Sequence, residues 1–325
     1  MTVAVNINRA IALFICVGML LGSCSRPQTE ETVMPEIPDI QANMVFFYYQ
    51  DLDRAVEFYH NLLGFPQVLD YGFAKAFRIS ETSYICLVDE TKGMHDTSEP
   101  KTVTLSFITE EVEGWYRYLL GNGVEMHSPL GDATRHPTRG FVALDPEGYF
   151  LEFETFLDHE QNVKLRERLA ATSARYPDTG TASTRPEDLG IQGNIFWLYY
   201  QDIPAAQNFF QENLGLEMLV DQGIAKVYTS SPTAFIGLVD ETKGLHHFSE
   251  KKSVNIGFFT NHVDDWYQYL LDKGLRMRGP LDDEAEQERV RAFVTFDSAG
   301  YYLEFDSFLE HADNAELLKI LRENR

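Results

Sequence analysis

The chain has 325 residues, 44% of them hydrophobic and 24% charged, which provides for roughly two domains with real cores and excludes a collagen-like, wholly disordered or polytopic membrane protein. Fifty Asp and Glu oppose 27 Lys and Arg, for a net charge of −23. That balance argues against nonspecific binding to nucleic acid or anionic lipid, both of which require clustered cations.

Arg9 precedes an apolar stretch from Ala10 to Leu21. As a helix it would rise about 18 Å, short of the roughly 30 Å of a hydrocarbon core. Leu21-Gly22-Ser23-Cys24 then sets small residues directly before a cysteine. This pattern resembles a bacterial lipoprotein signal, which implies a signal peptide over 1–23, acylation of Cys24 and a lipid anchor in the cell envelope, on a periplasmic or surface-facing membrane. Residues 24–38, rich in Pro and Glu, read as a flexible tether. Of the three cysteines, Cys16 falls in the signal and Cys24 at the lipid site, so Cys86 would remain as a free thiol. Neither an intrachain disulfide nor a Cys-rich zinc site is then available.

The rest of the chain is one module written twice. Ile40-Gln41-Ala42-Asn43 returns as Ile191-Gln192-Gly193-Asn194, and Tyr48-Tyr49-Gln50-Asp51 as Tyr199-Tyr200-Gln201-Asp202. Leu87-Val88-Asp89-Glu90-Thr91-Lys92-Gly93 recurs unchanged from Leu238 to Gly244, and Trp115-Tyr116 returns as Trp266-Tyr267. The expected divisions are a first module over 39–157, a helical tail and linker over 158–189, a second module over 190–309 and a C-terminal helix over 310–325.

Each module divides again. Residues 43–50 alternate as a strand, and Ala55, Phe58, Tyr59, Leu62 and Leu63 form a helical stripe ended by Gly64. Short strands are expected near 66–70, 73–80 and 83–89. Strand 102–108 opens the second half, followed by a helical stripe of Val112, Trp115, Tyr116, Leu119 and Leu120, then strands near 124–127, 139–145 and 149–154. The second module repeats this order, so the chain reads as an α+β protein of four βαβββ units.

The paired βαβββ units, the Asp51-Leu52 and Leu63-Gly64 helix boundaries and the ending Asp145-Pro146-Glu147-Gly148-Tyr149-Phe150-Leu151-Glu152 resemble the vicinal oxygen chelate superfamily. That superfamily includes glyoxalase I, extradiol dioxygenases, and bleomycin- and fosfomycin-resistance proteins, and its fold hosts several chemistries. Metal-binding members take four ligands, usually His, Glu or Gln, from the inner faces of four strands. The resemblance sets these positions at Met44, Cys86, Thr104 and Glu152 in the first module and at Ile195, Gly237, Asn255 and Glu304 in the second. Only the terminal carboxylate survives in each. A transition-metal site normally needs three or four strong ligands, so no cofactor is expected and a divalent metal is disfavoured.

Strand alternation instead turns aromatic residues inward. Met44, Phe46, Tyr48, Tyr84, Cys86, Thr104, Phe150 and Glu152 are expected to face inward in the first module, and Ile195, Trp197, Tyr199, Phe235, Gly237, Asn255, Tyr302 and Glu304 in the second, with a site built either within a module or across the pair. Aromatic walls with a carboxylate at the base suit a small apolar or cationic molecule. The same residues could equally form a closed core. His95 and His246, which end the repeated loop motif, are candidate acid–base groups, and Lys75 and Lys226 candidate anion contacts, although a charged turn and solvent-facing strand lysines account for both. Before the penultimate strands, Arg135-His136-Pro137-Thr138-Arg139 opposes Asp282-Asp283-Glu284-Ala285-Glu286, so the two mouths are expected to differ.

Three function classes stay open, and whether the chain is an enzyme is one of the open points. The leading reading is a metal-independent binding protein for a small molecule, with Phe46, Tyr48, Tyr84, Phe150, Glu152, Trp197, Tyr199, Asn255, Tyr302 and Glu304 as ligand contacts. The second is a lyase, isomerase or dioxygenase using Glu152 or Glu304 as base with unconventional metal ligation. The third is a surface interaction module with filled cups. The expected partners are a small molecule and, through the anchor, a membrane, but no nucleic acid; the oligomeric state is left open.

Overall fold

The computed structural model describes residues 37–132, 136–178, 182–281 and 289–324. The expected signal sequence, Cys24, the expected tether up to residue 36, Arg135 and the acidic run 282–286 lie outside the described residues. No helix among the described residues is long and apolar enough to cross a membrane.

Four units follow one another. The first holds β1 (Ala42–Tyr49), α1 (Leu52–Val56, prolonged by a π-helical turn over Glu57–Leu62), β2 (Gln67–Asp70), β3 (Ala74–Arg78) and β4 (Ser83–Asp89). The second holds β5 (Val103–Ile108), α2 (Val112–Gly121), β6 (Met126–Ser128), β7 (Thr138–Leu144) and β8 (Phe150–Phe156), with a trailing helix α3 (Val163–Ala170). The third holds β9 (Gly193–Tyr200), α4 (Ile203–Glu212), β10 (Glu217–Asp221), β11 (Ala225–Thr229) and β12 (Ala234–Asp240). The fourth holds β13 (Val254–Phe259), α5 (Val263–Asp272), β14 (Val290–Phe296) and β15 (Tyr302–Phe308), followed by α6 (Ala315–Glu323). Its remaining strand is reduced to a single bridge between Met277 and Thr295.

Local chemistry explains the boundaries. The Asp51 carboxylate accepts from the Arg54 amide at 3.0 Å and starts α1, while Asp202 accepts from the Ala205 amide at 2.9 Å beside a first-turn proline. Gly64 and Gly215, at φ of +70° and +66°, close the two helices in a conformation that an L side chain rarely adopts.

The sheets do not follow the sequence repeat. One has the order β14-β15-β13-β1-β4-β3-β2 and the other β10-β11-β12-β9-β5-β8-β7-β6. Each therefore takes one unit from each module: β1 pairs antiparallel with β13, setting Phe46 opposite Asn255, and β5 pairs with β9, setting Thr104 opposite Trp197. The repeated loops 90–102 and 241–253 carry the chain from one sheet to the other. Below, the sheet containing β1 forms the first cup and the sheet containing β9 the second.

Repeated residues fasten this exchange. The Thr82 amide donates to Thr233 Oγ1 at 2.8 Å, the Thr233 amide donates back to Thr82 Oγ1 at 3.0 Å, and Ser80 Oγ donates to Thr233 Oγ1 at 2.9 Å. This buried contact is self-complementary, as in a two-fold dimer, but closes within one chain. Tyr149 donates to the Ser253 carbonyl at 2.7 Å and accepts from the Tyr48 amide at 3.0 Å; Tyr301 does the same with the Thr102 carbonyl and the Tyr199 amide at 2.7 and 2.9 Å. Both tyrosines are set by the Asp that opens the motif. Asp145 accepts from the Tyr149 amide at 2.8 Å and from the Tyr49 hydroxyl at 2.6 Å, and Asp297 accepts from the Tyr301 amide and the Tyr200 hydroxyl at 2.9 and 2.6 Å.

The helix-facing sides of both sheets share one core, in which Phe47, Leu87, Leu105, Phe153, Trp115 and Trp266 are fully buried. The concave faces have separate, smaller cores. Leu317, Ile320 and Leu321 of α6 pack with Met44, Tyr48, Tyr84 and Cys86 in the first cup. Leu165 and Leu169 of α3 pack with Ile195, Trp197, Tyr199 and Phe235 in the second. The amphipathic tails thus pack on the modules themselves.

Replacing Thr233 by Val removes buried hydroxyl bonds between the two modules and should cost about 1–3 kcal/mol in urea unfolding. The Thr82→Val, Thr233→Val double variant should lose less than the sum of the singles, because the two residues bond each other. Additive losses would contradict the contact.

Candidate functional site

The cross-module pairing decides how the inward residues group, a point the sequence leaves open. Met44, Phe46, Tyr48, Tyr84 and Cys86 share the first cup with Asn255, Tyr302 and Glu304. Thr104, Phe150 and Glu152 share the second with Ile195, Trp197, Tyr199, Phe235 and Gly237. Alternation along single strands gave the inward faces, but it carries no information about which strands become neighbours.

Much of the expected aromatic wall is consumed in packing. Tyr84, Phe235, Thr104 and Asn255 are fully buried, and Tyr48 and Tyr199 nearly so. Phe46, Phe150, Glu152, Tyr302 and Glu304 keep partial exposure, and Trp197 is 8% exposed. These are the members of the expected set that a solute can reach.

In the second cup, Phe150, Glu152 and Glu154 follow one another on the inner face of β8. Glu154 accepts from Ser106 Oγ at 2.5 Å, and the Trp197 indole leans toward it. Burial pushes Glu154 up to about 7 and pushes Glu152 well above the usual carboxylate range, with each other's charge adding to the effect on Glu152. Among the described residues, no cation forms an ion pair with either group. The Phe150 ring lies between His127 at 4.3 Å and His246 at 4.4 Å. Burial, reinforced by His127, lowers His246 to about 4, so it is neutral at physiological pH. A cleft of about 670 Å³ opens onto Glu152, lined also by Ser128, Asp132, His136, Arg139 and Gln222, with Arg139 paired to Glu113.

The first cup has the same carboxyl pair in a different setting. Glu304 Oε2 accepts from Asn255 Nδ2 at 2.9 Å and feels the Arg278 guanidinium, while Asp306 has a buried Oδ2 without a partner. Burial raises both carboxyls, and it raises the Cys86 thiol further with the help of their charges, so Cys86 stays protonated. His95 enters this cup from the loop after β4. It is 8% exposed, with Nδ1 at 2.6 Å from Glu99 Oε2 and its ring 4.5 Å from that of Tyr302. Neither His95 nor His246 belongs to the ligand set expected from the sequence. The usable signal was the near-identity of their loops, where Gly93 and Gly244 allow the backbone to pass against the rings of Tyr48 and Tyr199. Lys75 and Lys226 are instead neutralised within their own hairpins, by Asp70 at 2.6 Å and Asp221 at 2.7 Å.

The four family metal positions do not fit a metal. Regrouped by cup they are Met44, Cys86, Asn255 and Glu304, and Ile195, Gly237, Thr104 and Glu152, each with one carboxyl and no imidazole. The vacancy at Gly237 is filled by Trp197, whose ring lies 2.0 Å from where a Cβ would stand, so no donor side chain can be accommodated there. Among the described residues, no three His, Cys, Asp or Glu side chains converge as a metal site.

Residues 41–153 match the model of the Glyoxalase/Bleomycin resistance protein/Dioxygenase superfamily. That stretch spans the first module, which carries this superfamily's pattern. Its vicinal oxygen chelate fold extends over both modules: a putative dioxygenase from Bacillus subtilis subsp. subtilis str. 168 superposes with a TM-score of 0.60 at 15% identity, covering 83% of this chain and 86% of the other. Glyoxalase I from Zea mays superposes with a TM-score of 0.56 at 14% identity, covering 88% and 96%. At such identities the likeness establishes the fold alone. No curated protein matches the sequence.

The raised Glu154 has a consequence for stability. Between 4.5 and about 7 the folded chain holds a proton that the unfolded chain releases, so this group's contribution is complete at low pH and is lost as pH rises through about 7. Glu154→Gln should therefore remove a decline on the order of 3 kcal/mol across that window, measured as the wild-type minus variant difference in urea stability against pH. Parallel curves would show that Glu154 titrates normally.

Proposed function

We propose that this protein binds a small organic cation in its second cup without a metal ion, and that it does so as a lipoprotein held in the cell envelope through Cys24. The observation that carries the binding reading is the cleft of about 670 Å³ opening onto Glu152, whose carboxyl, like that of Glu154, forms no ion pair among the described residues, while Arg139 in the cleft wall is paired with Glu113. A cation entering this cleft would give Glu152 a charge-assisted hydrogen bond or ion pair. Buried carboxyls without a compensating charge hold protons, and a bound cation restores the ionised form. Binding therefore releases a proton, and affinity rises with pH.

This chemistry also favours a binding role for Glu152 over catalysis. A carboxylic acid that holds its proton at neutral pH is a poor general base. The partial exposure of Glu152 and Phe150 supports an occupied cup over a merely filled one.

The test is calorimetric titration with benzyltrimethylammonium and its neutral isostere neopentylbenzene, in two buffers of different ionisation enthalpy. The cation should bind with proton release, the isostere more weakly, and Glu152→Gln should lose about tenfold or more in affinity for the cation. Protein purified without chelator should carry no stoichiometric transition metal, and added zinc should leave cation binding unchanged. Equal affinity for both probes, or one metal bound per chain, would contradict the reading.

A further inference from the structure

In the first cup, unlike the second, the histidine has a carboxylate behind it. His95 Nδ1 lies 2.6 Å from Glu99 Oε2, which fixes the ring and assigns the Nδ1 proton, leaving the Nε2 lone pair toward the cup. His246, at the equivalent place, contacts the Val103 backbone instead. His95 Nε2 is buried and has no partner. The Asn255 carboxamide faces the imidazole; its Nδ2 is committed to Glu304, and its Oδ1 is also buried without a partner. Two acceptors thus meet with no donor between them, an arrangement that is costly to bury.

We propose that the first cup is a second, chemically distinct binding site, for a small phenol-like weak acid that passes its proton to His95 Nε2. The ring of such a ligand is received by Tyr302 and Phe46, both partly exposed, and Tyr48 closes the far side of the imidazole at 5.2 Å. In the transfer, the ligand O–H bond breaks and leaves its electron pair on oxygen, while an N–H bond forms at Nε2. The new Nε2–H serves both the phenolate and Asn255 Oδ1, so the two unpartnered acceptors are satisfied together. Burial lowers the proton affinity of the empty imidazole while Glu99 raises it, so the imidazolium persists only paired with the phenolate, to which Arg278, lying over the Tyr302 ring at 6.0 Å, offers a cation at the mouth. The charged and titratable groups around His95 are Glu99 on its own loop, Lys251 3.8 Å from Glu99, Tyr48 on β1, Tyr302 and Glu304 on β15, and Arg278 after α5. The site is independent of the cationic site proposed for the second cup.

The probe is 4-nitrophenol, which absorbs visible light only as the phenolate. Titrated into the full-length protein at a pH where the free probe is mostly neutral, it should develop a phenolate band at saturation. His95→Gln should abolish the band and Glu99→Gln should weaken it at least severalfold, with unfolding midpoints used to confirm that each variant is folded; if His95→Gln fails to fold, Glu99→Gln carries the test. Saturating benzyltrimethylammonium should leave the band unchanged. No band with the wild type would overturn the proposal, because it would mean that Asn255 is turned to donate its own N–H to His95. A band that survives in His95→Gln or, where that variant fails to fold, in Glu99→Gln, or one displaced by the ammonium, would also overturn it.

Discussion

Everything in this molecule depends on the antiparallel pairing of strands from different modules, β1 with β13 and β5 with β9. A single βαβββ unit presents an unpaired strand edge, and pairing removes that liability. Tandem duplication supplies the partner strand within the same chain, and the crossovers at 90–102 and 241–253 are long enough to reach it. The consequence is functional as well as structural: no cup belongs to one module. Glu152 of the first module stands in a wall with Trp197 and Tyr199 of the second, and Glu304 of the second stands with Tyr48 and Cys86 of the first.

Within that shared frame the two cups have diverged in charge chemistry. Both keep two inward carboxyls on their last strand, Glu152 and Glu154 in one and Glu304 and Asp306 in the other, and burial raises all four. The second cup gives its pair a serine and an indole but no ion pair among the described residues, which favours a ligand that brings positive charge. The first cup supplies an amide, a guanidinium and a carboxylate-backed imidazole. Trp197 over Gly237 and Phe46 over Gly257 show how aromatic rings occupy the space left by missing side chains on the inner faces. The two cups of this duplicated fold thus differ in the polar and charged groups they set around the same carboxyl positions.

The sequence disclosed the four units because their signals are local: Asp51 and Asp202 cap helices, Gly64 and Gly215 end them, and the strands alternate with period two. It also disclosed that Glu152, Glu304 and the aromatic residues face inward. It did not disclose which units share a sheet, since the modules are so alike that either pairing satisfies the hydrophobic pattern. The Thr82–Thr233 contact fastens the observed pairing, and its residues look like ordinary turn chemistry. Tyr84 and Phe235 were expected to line the cups but are sealed by packing, partly because the amphipathic tails lie on the concave faces. His95 was underweighted for a related reason, since its partner Glu99 sits in a loop where spacing has no fixed geometric meaning.

The most direct test of a cup shared between modules is a double-mutant cycle on binding of benzyltrimethylammonium, using Glu152→Gln from the first module and Trp197→Leu from the second. Both singles should weaken binding, and the double should depart from additivity by about 1 kcal/mol, as residues of one site do. Strict additivity, or a Trp197 variant that binds like the wild type, would contradict a working site built from both modules.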